Sequence, residues 1–129
     1  MNAVELVKAY LAAVERFDVE GARKCLHRDI LFTEQPNRLN PGGTRRTLEV
    51  MMEGLPRGAA ILERQSYGIV SVFGEGDRVA VETRWEGILK IALGSLKPGE
   101  AMVAHIAMLF EVKDGLIWRQ TNYDCYEAF

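Results

Sequence analysis

The spacing of apolar residues changes along this chain from helical to alternating. From Asn2 to Arg16, Val4, Val7, Leu11 and Val14 recur at helical spacing, and Tyr10, Ala13 and Phe17 widen the stripe, which predicts an amphipathic helix. Asp18 is placed to cap a second, short helix through Cys25 and Leu26, with Glu20 in its first turn where the helix dipole favours negative charge. Ile30-Leu31-Phe32-Thr33 has strand composition, and Pro36, Asn37, Asn40, Pro41 and Gly42-Gly43 break it into a long irregular loop of the kind that shapes site mouths. Thr44 is the expected cap of a third helix whose buried stripe is Leu48, Met51, Met52 and Leu55, and which Gly54, Pro56 and Gly58 end.

Strand patterns follow. Ile61 to Phe73, Arg78 to about Ala92, Met102 to Val112 and Leu116 to Tyr126 are divided by Gly74-Glu75-Gly76-Asp77, Lys97-Pro98-Gly99-Glu100 and Asp114-Gly115. Helices first and an antiparallel meander after, without an internal repeat, is the α+β class, with helices packed on a curved sheet. Asp114-Gly115 suits a type I′ turn, in which both central residues take positive φ, so Lys113 faces Leu116. Counting back along both strands sets His105 opposite Asp124. One face then carries His105, Ala107, Leu109 and Glu111 against Trp118, Gln120, Asn122 and Asp124, and the other carries Ile106, Met108, Phe110 and Val112 against Ile117, Arg119, Thr121 and Tyr123. A turn at Pro98-Gly99 would bring Glu86 near Glu111 and gather Arg84, Glu86, His105, Asn122 and Asp124 on one polar face. Two arrangements fit that face: it lines a pocket, or it meets solvent while the helices cover the apolar side.

Length and composition narrow the function more than they identify it. With 129 residues the chain is expected to form one domain, 1–129. A hydrophobic content of 48% and a net charge of -2, with no basic face, give no electrostatic case for nucleic acid. No apolar run of signal-peptide or membrane-spanning length is present, so a cytosolic protein without membrane contact is expected. Cys25 and Cys125 lack ligand spacing and read as free thiols, and together with His27 and His105 they make no metal site. No phosphate-cradling glycine loop follows a strand, and no cofactor is expected.

The opening helix AYLAAVERFDVEGARKCL, the first-strand segment FTEQP and the closing FEVKDGLIWRQTNYDCYEAF resemble the nuclear-transport-factor-2-like superfamily over essentially the whole chain, and most of all its SnoaL-like polyketide cyclase branch. The resemblance implies a cone-shaped domain with a deep pocket between three helices and the sheet's concave face, dimerising through the outer face. It also implies a small apolar or polycyclic ligand. The same cone hosts cyclases, isomerases, epoxide hydrolases and non-catalytic binding or dimerisation modules, so residues must decide.

For His105 and Asp124 the chemical reading is a carboxylate that orients an imidazole as general base or acid, and the structural reading is a plain hydrogen bond. Asp124 resembles the final-strand acid that transfers protons in the SnoaL-like cyclases, with Cys125 one residue beyond it as the alternative alignment. Arg84-Trp85-Glu86 resembles the Arg-x-acid element of the limonene-epoxide-hydrolase-like branch, with Glu86 and Asp124 as its two carboxylates; a structural salt bridge is the competing account. Tyr10 resembles the oxyanion-binding tyrosine of the ketosteroid isomerases. Their aspartate base is replaced by Gln35, which cannot take a proton at neutral pH, and alternation turns Glu34 the other way. Phe17, Tyr67, Trp85, Trp118 and the pair Met51 and Met52 are candidate walls for an apolar ligand or members of the core, and Asn122 is a candidate polar anchor. The leading expectation is a dimeric, cofactor-free acid-base enzyme using Asp124 and His105, with Arg84, Glu86 and Asn122 positioning ligand. The rival is a non-catalytic binding module.

Overall fold

The computed structural model describes residues 1–129. Its elements are α1 (Ala3–Glu15), α2 (Val19–Arg23), β1 (Leu26–Glu34), β2 (Thr44–Arg46), α3 (Leu48–Ile61), β3 (Leu62–Glu75), β4 (Arg78–Leu89), β5 (Ala101–Lys113) and β6 (Leu116–Tyr126). The strands form one six-stranded sheet in the order β2-β1-β6-β5-β4-β3. The meander from β3 to β6 is antiparallel, whereas β1 lies parallel to β6, so the curved, unclosed sheet is mixed. Three helices pack against its inner face. None of them is long and apolar enough to cross a membrane.

The helices start where short polar side chains meet free backbone N–H groups. Asn2 accepts a hydrogen bond from the Glu5 N–H at 2.8 Å and returns one to the Glu5 carboxylate at 3.1 Å. Asp18 caps α2 through the Gly21 N–H at 2.9 Å. The third helix departs from its expected bounds at both ends. Residues 44–46 pair with β1 as strand β2, and the cap position falls to Thr47. The helix also runs through Pro56 to Ile61, because Met51 and Met52 anchor it on the core while its later residues lie on the outer, solvated side.

The core joins α1 (Leu6, Val7, Tyr10, Leu11) to the inward-facing residues of the sheet, among them Val81, Leu89, Met108, Phe110 and Ile117. Strict alternation along β4 and β5 puts odd-numbered residues of β4 and even-numbered residues of β5 inside. Thr83 is one of these at 1% exposure, and its hydroxyl has no hydrogen-bond partner. A buried hydroxyl without a partner is destabilising, so Thr83→Val, which keeps the shape and removes the polar atom, should raise stability by about 1 kcal/mol. In a thermal melt that is a rise of about 4 °C. A lower melting temperature would show that the hydroxyl is bonded in solution.

Candidate active site

Between α1, α3 and the sheet lies a cavity of about 380 Å³. Tyr10, Leu11 and Val14 of α1 form one wall, Met51, Met52 and Leu55 of α3 another, and Phe32, Tyr67, Gln120 and Asn122 of the sheet form the rest. Arg46 and Arg57 stand among the lining residues. Helical spacing on α1 and α3 explains the apolar walls, and alternation on β6 explains the polar one.

How β6 presents that polar wall depends on one residue. The turn is as read from sequence: Asp114 and Gly115 both have positive φ, and Lys113 pairs with Leu116 and Val112 with Ile117. Beyond this the register slips, because Glu111 pairs with Arg119 and leaves Trp118 as a bulge. His105 therefore sits opposite Cys125, and Asp124 opposite Ile106. The expected His105–Asp124 pair does not form. Without the bulge Arg119 would face Phe110 in the core, where an unpaired guanidinium is costly. With it, Arg119 turns outward, bonds the Asp29 and Trp118 carbonyls, and stacks on Trp118 with its guanidinium 3.7 Å from the ring centroid. Lys113 lies over the same ring at 4.6 Å.

Gln120, Asn122, Asp124 and Tyr126 consequently face inward. Gln120 Nε2 donates to Asn122 Oδ1 at 2.9 Å, and Asn122 Nδ2 donates to Asp124 Oδ1 at 3.5 Å. Burial raises the Asp124 carboxyl to about 6; the charge of Glu34 adds to this, and Asn122 and Arg46 oppose it. Burial also pushes the hydroxyls of Tyr10, Tyr67 and Tyr126 upward, and the negative charge of Asp124 adds to the rise at Tyr67 and Tyr126. All three are neutral donors at physiological pH.

Glu34, set aside on sequence, is the second inward carboxylate. It lies beside Asn122 in the β1–β6 pairing, two residues on from the inward Phe32. Burial alone would raise its pKa, but it is held below the usual carboxylate range by Asn37 at 2.7 Å, Asn40 at 3.0 Å and the Arg46 guanidinium at 3.0 Å. Arg46 in turn lies over the Phe32 ring. The irregular loop after β1 thus exists partly to fix one ionised carboxylate. Its Asn37 and Asn40 were visible as loop formers, but their partner was not.

Several expected site residues lie elsewhere. Arg84 and Glu86 are on the outer face and pair with each other at 2.9 Å, about half-exposed; Glu86 stands opposite Val103, not near Glu111. His105 is beside them on that face and meets Glu127 at 2.7 Å. Trp118 is in its cation sandwich at the hairpin, away from the cavity. Trp85 is buried in the core, where its indole N–H donates to Gln65 Oε1 at 2.9 Å, and Phe17 packs at the end of α1 against Gly58. Tyr10, Tyr67 and Asn122 line the cavity, and Asp124 adjoins it through Asn122. No group of three or more His, Cys, Asp and Glu side chains is placed to hold a metal ion.

Residues 7–120 match the family profile of the SnoaL-like domain. No functionally curated protein matches the chain. Among solved structures, IdmH, a candidate polyketide cyclase from Streptomyces antibioticus, superposes with a TM-score of 0.81 at 19% identity, covering 96% of this chain and 92% of that one. A candidate polyketide cyclase from Xanthomonas campestris gives 0.77 at 28% identity, with 94% and 88% covered. An LEH-like epoxide hydrolase from Mycobacterium tuberculosis gives 0.74 at 22% identity, with 95% and 81% covered.

Proposed function

Because this chain belongs to the SnoaL-like domain family, we propose that it is a cofactor-free enzyme that moves a proton on a small apolar or polycyclic substrate held in the inner cavity. One observation carries this reading: two carboxylates that stand just behind the cavity wall, Asp124 bonded to Asn122 and Glu34 to Arg46, have environments that drive their acidities apart, Glu34 downward and Asp124 up to about 6. Such a split separates a fixed charge from a working acid-base group. Asp124, mostly ionised at neutral pH, takes the proton from an activated C–H. The C–H bond breaks, its electron pair moves onto the adjoining carbonyl as an enolate oxygen, and a tyrosine hydroxyl of the cavity donates a hydrogen bond to that oxygen. Protonated Asp124 then returns the proton to carbon or oxygen.

Epoxide opening is served less well. Arg46 acts on both carboxylates, but Glu34 already accepts from Asn37, Asn40 and Arg46, which leaves little of it to activate water. The test of proton transfer is solvent deuterium incorporation into bound polycyclic 1,3-diketones and hydroxyquinones in D₂O, followed by mass spectrometry. Incorporation above the buffer rate supports the enzyme. Binding without incorporation supports a non-catalytic binding module.

The same reading makes the protein a cytosolic homodimer, in keeping with its two free cysteines. On the outer face Val70 and Phe73 of β3, Leu109 of β5 and Tyr123 of β6 are 45–67% exposed and share one shallow depression, an apolar patch suited to a second copy. Sedimentation at micromolar concentration is expected to give a dimer, and Phe73→Glu a monomer with an unchanged circular dichroism spectrum. A monomeric wild type would remove this part of the reading.

A further inference from the structure

The polar wall of the cavity covers an unanswered acceptor. Gln120 is 3% exposed, belongs to the cavity wall, and has no hydrogen-bond partner at Oε1, an atom that neighbouring groups cover, so that a ligand reaches it by displacing them. Its other amide end is committed, since Nε2 donates to Asn122 Oδ1 and approaches Met108 Sδ at 4.0 Å. The direction of this ladder follows from its far end. An ionised carboxylate only accepts, so Asn122 turns its NH₂ toward Asp124 and leaves its own oxygen for Gln120. Gln120 must then give its NH₂ to Asn122, and its carbonyl oxygen is the group left over. Phe32, the neighbour of Gln120 on β1, has no donor to offer it.

We propose that Gln120 is the residue that sets ligand specificity, selecting molecules that present a hydroxyl donor, a phenol or an enol, to its Oε1 atom, with the ladder through Asn122 to Asp124 holding that acceptor in place. A ketone or an ether at the same position brings a second acceptor against the first and is rejected. This inference rests on the reading of the cavity as a substrate site and adds the class of substrate.

Three probes share one bicyclic skeleton: 2-naphthol has the donor, 2-methoxynaphthalene replaces its hydrogen with a methyl group, and naphthalene, smaller and without a donor, controls for bulk. Fluorescence titration at about pH 8, where Asp124 is ionised, should show 2-naphthol binding about tenfold tighter than the other two, the effect of one buried hydrogen bond. Gln120→Leu, or Gln120→Met if the leucine variant does not fold, should bring the three affinities within about threefold of one another. Asp124→Asn removes the obligatory acceptor, lets the ladder reverse, and should lower the preference at least about threefold with Gln120 intact. Equal binding of the three probes by the wild type, no saturable binding of any, a preference that survives loss of the Gln120 carbonyl, or one that Asp124→Asn leaves unchanged would each overturn the proposal. None of these readouts involves proton transfer, so selection without deuterium incorporation would sink the enzymatic reading alone, and incorporation without selection would sink this one alone.

Discussion

Asp124→Asn is expected to lower solvent deuterium incorporation by about 10²- to 10⁴-fold, the range that a positioned acid-base group contributes. An amide at this position fills nearly the same volume and still meets Asn122, but it cannot take up the substrate's proton. Affinity for non-reacting ligands should change far less than the rate, because the apolar walls from α1 and α3 are untouched. The wild-type rate should rise with pH through about 6, as Asp124 becomes ionised, and that step should be missing from the variant. The proton-transfer role is wrong if the variant exchanges at the wild-type rate, or if the step near 6 persists without the carboxylate. His105→Ala serves as the contrast. On the outer face, paired with Glu127, it should leave the rate unchanged.

The same substitution should make the protein more stable, by an amount that grows from about pH 4 and is complete a little above pH 6. Burial lifts Asp124 from an ordinary value of 3.8 to about 6, so the folded state holds this proton more tightly than the unfolded chain does. A raised folded-state pKa contributes stability that is present below the unfolded value and lost as pH rises through the folded one. The wild type should therefore lose up to about 3 kcal/mol between roughly pH 4 and 6 on account of this group, and hold that deficit at neutral pH. Asparagine carries no such penalty. Urea unfolding at pH 4 should find the two proteins within about 0.5 kcal/mol of each other, and at pH 7.5 the variant should be ahead by about 2–3 kcal/mol. Parallel stability profiles across that range would mean that Asp124 is not desolvated. A site residue that destabilises its own fold at working pH is the usual mark of a trade between activity and stability.

Much of this fold could be read from the chain, for reasons tied to particular residues. The stripe from Val4 to Val14 fixes α1, and the strict alternation of Met102, Ala104, Ile106, Met108 and Phe110 fixes the inner face of β5, because in both the apolar period matches a single backbone geometry. The start of α3 could not be placed, since Thr44 and Thr47 are equally good caps and only the pairing of Thr44 with Glu34 separates them. Nor could its end, because a proline late in a helix is disfavoured by local rules and tolerated when earlier turns are anchored. The parallel entry of β1 beside β6 is a long-range choice that leaves no local trace.

Of the candidate site, only part of the placement was legible. Asn122 and Asp124 were read onto one face of the last strand, as they lie, and their cross-strand partners were misassigned because the hairpin was extended from its turn with no slip. A signal against that extension was present in the sequence: an unbroken register sets Arg119 against Phe110 inside the core. Desolvation of an arginine outweighs the local disorder of a bulge, so the slip could have been inferred. Glu34 was missed differently. Its role depends on Asn37, Asn40 and Arg46 converging on one carboxylate from a loop and a neighbouring strand, and no spacing rule announces that convergence.

The bulge at Trp118 gives the last strand a phase. On the turn side of it odd and even positions have one meaning, and on the far side the other. Without Trp118 the ladder would run unbroken from Val112 with Ile117 to Glu111 with Arg119, and Gln120, Asn122 and Asp124 would stay inward, whereas the full strand paired with no bulge would send those three into solvent and draw Arg119, Thr121 and Tyr123 inward. The bulge therefore absorbs the extra residue of this short interval and holds the inner face in place despite it. A relative that retains the closing Asn-Tyr-Asp motif but is one residue shorter before it would keep both the spelling and the inward face, in a hairpin without the bulge.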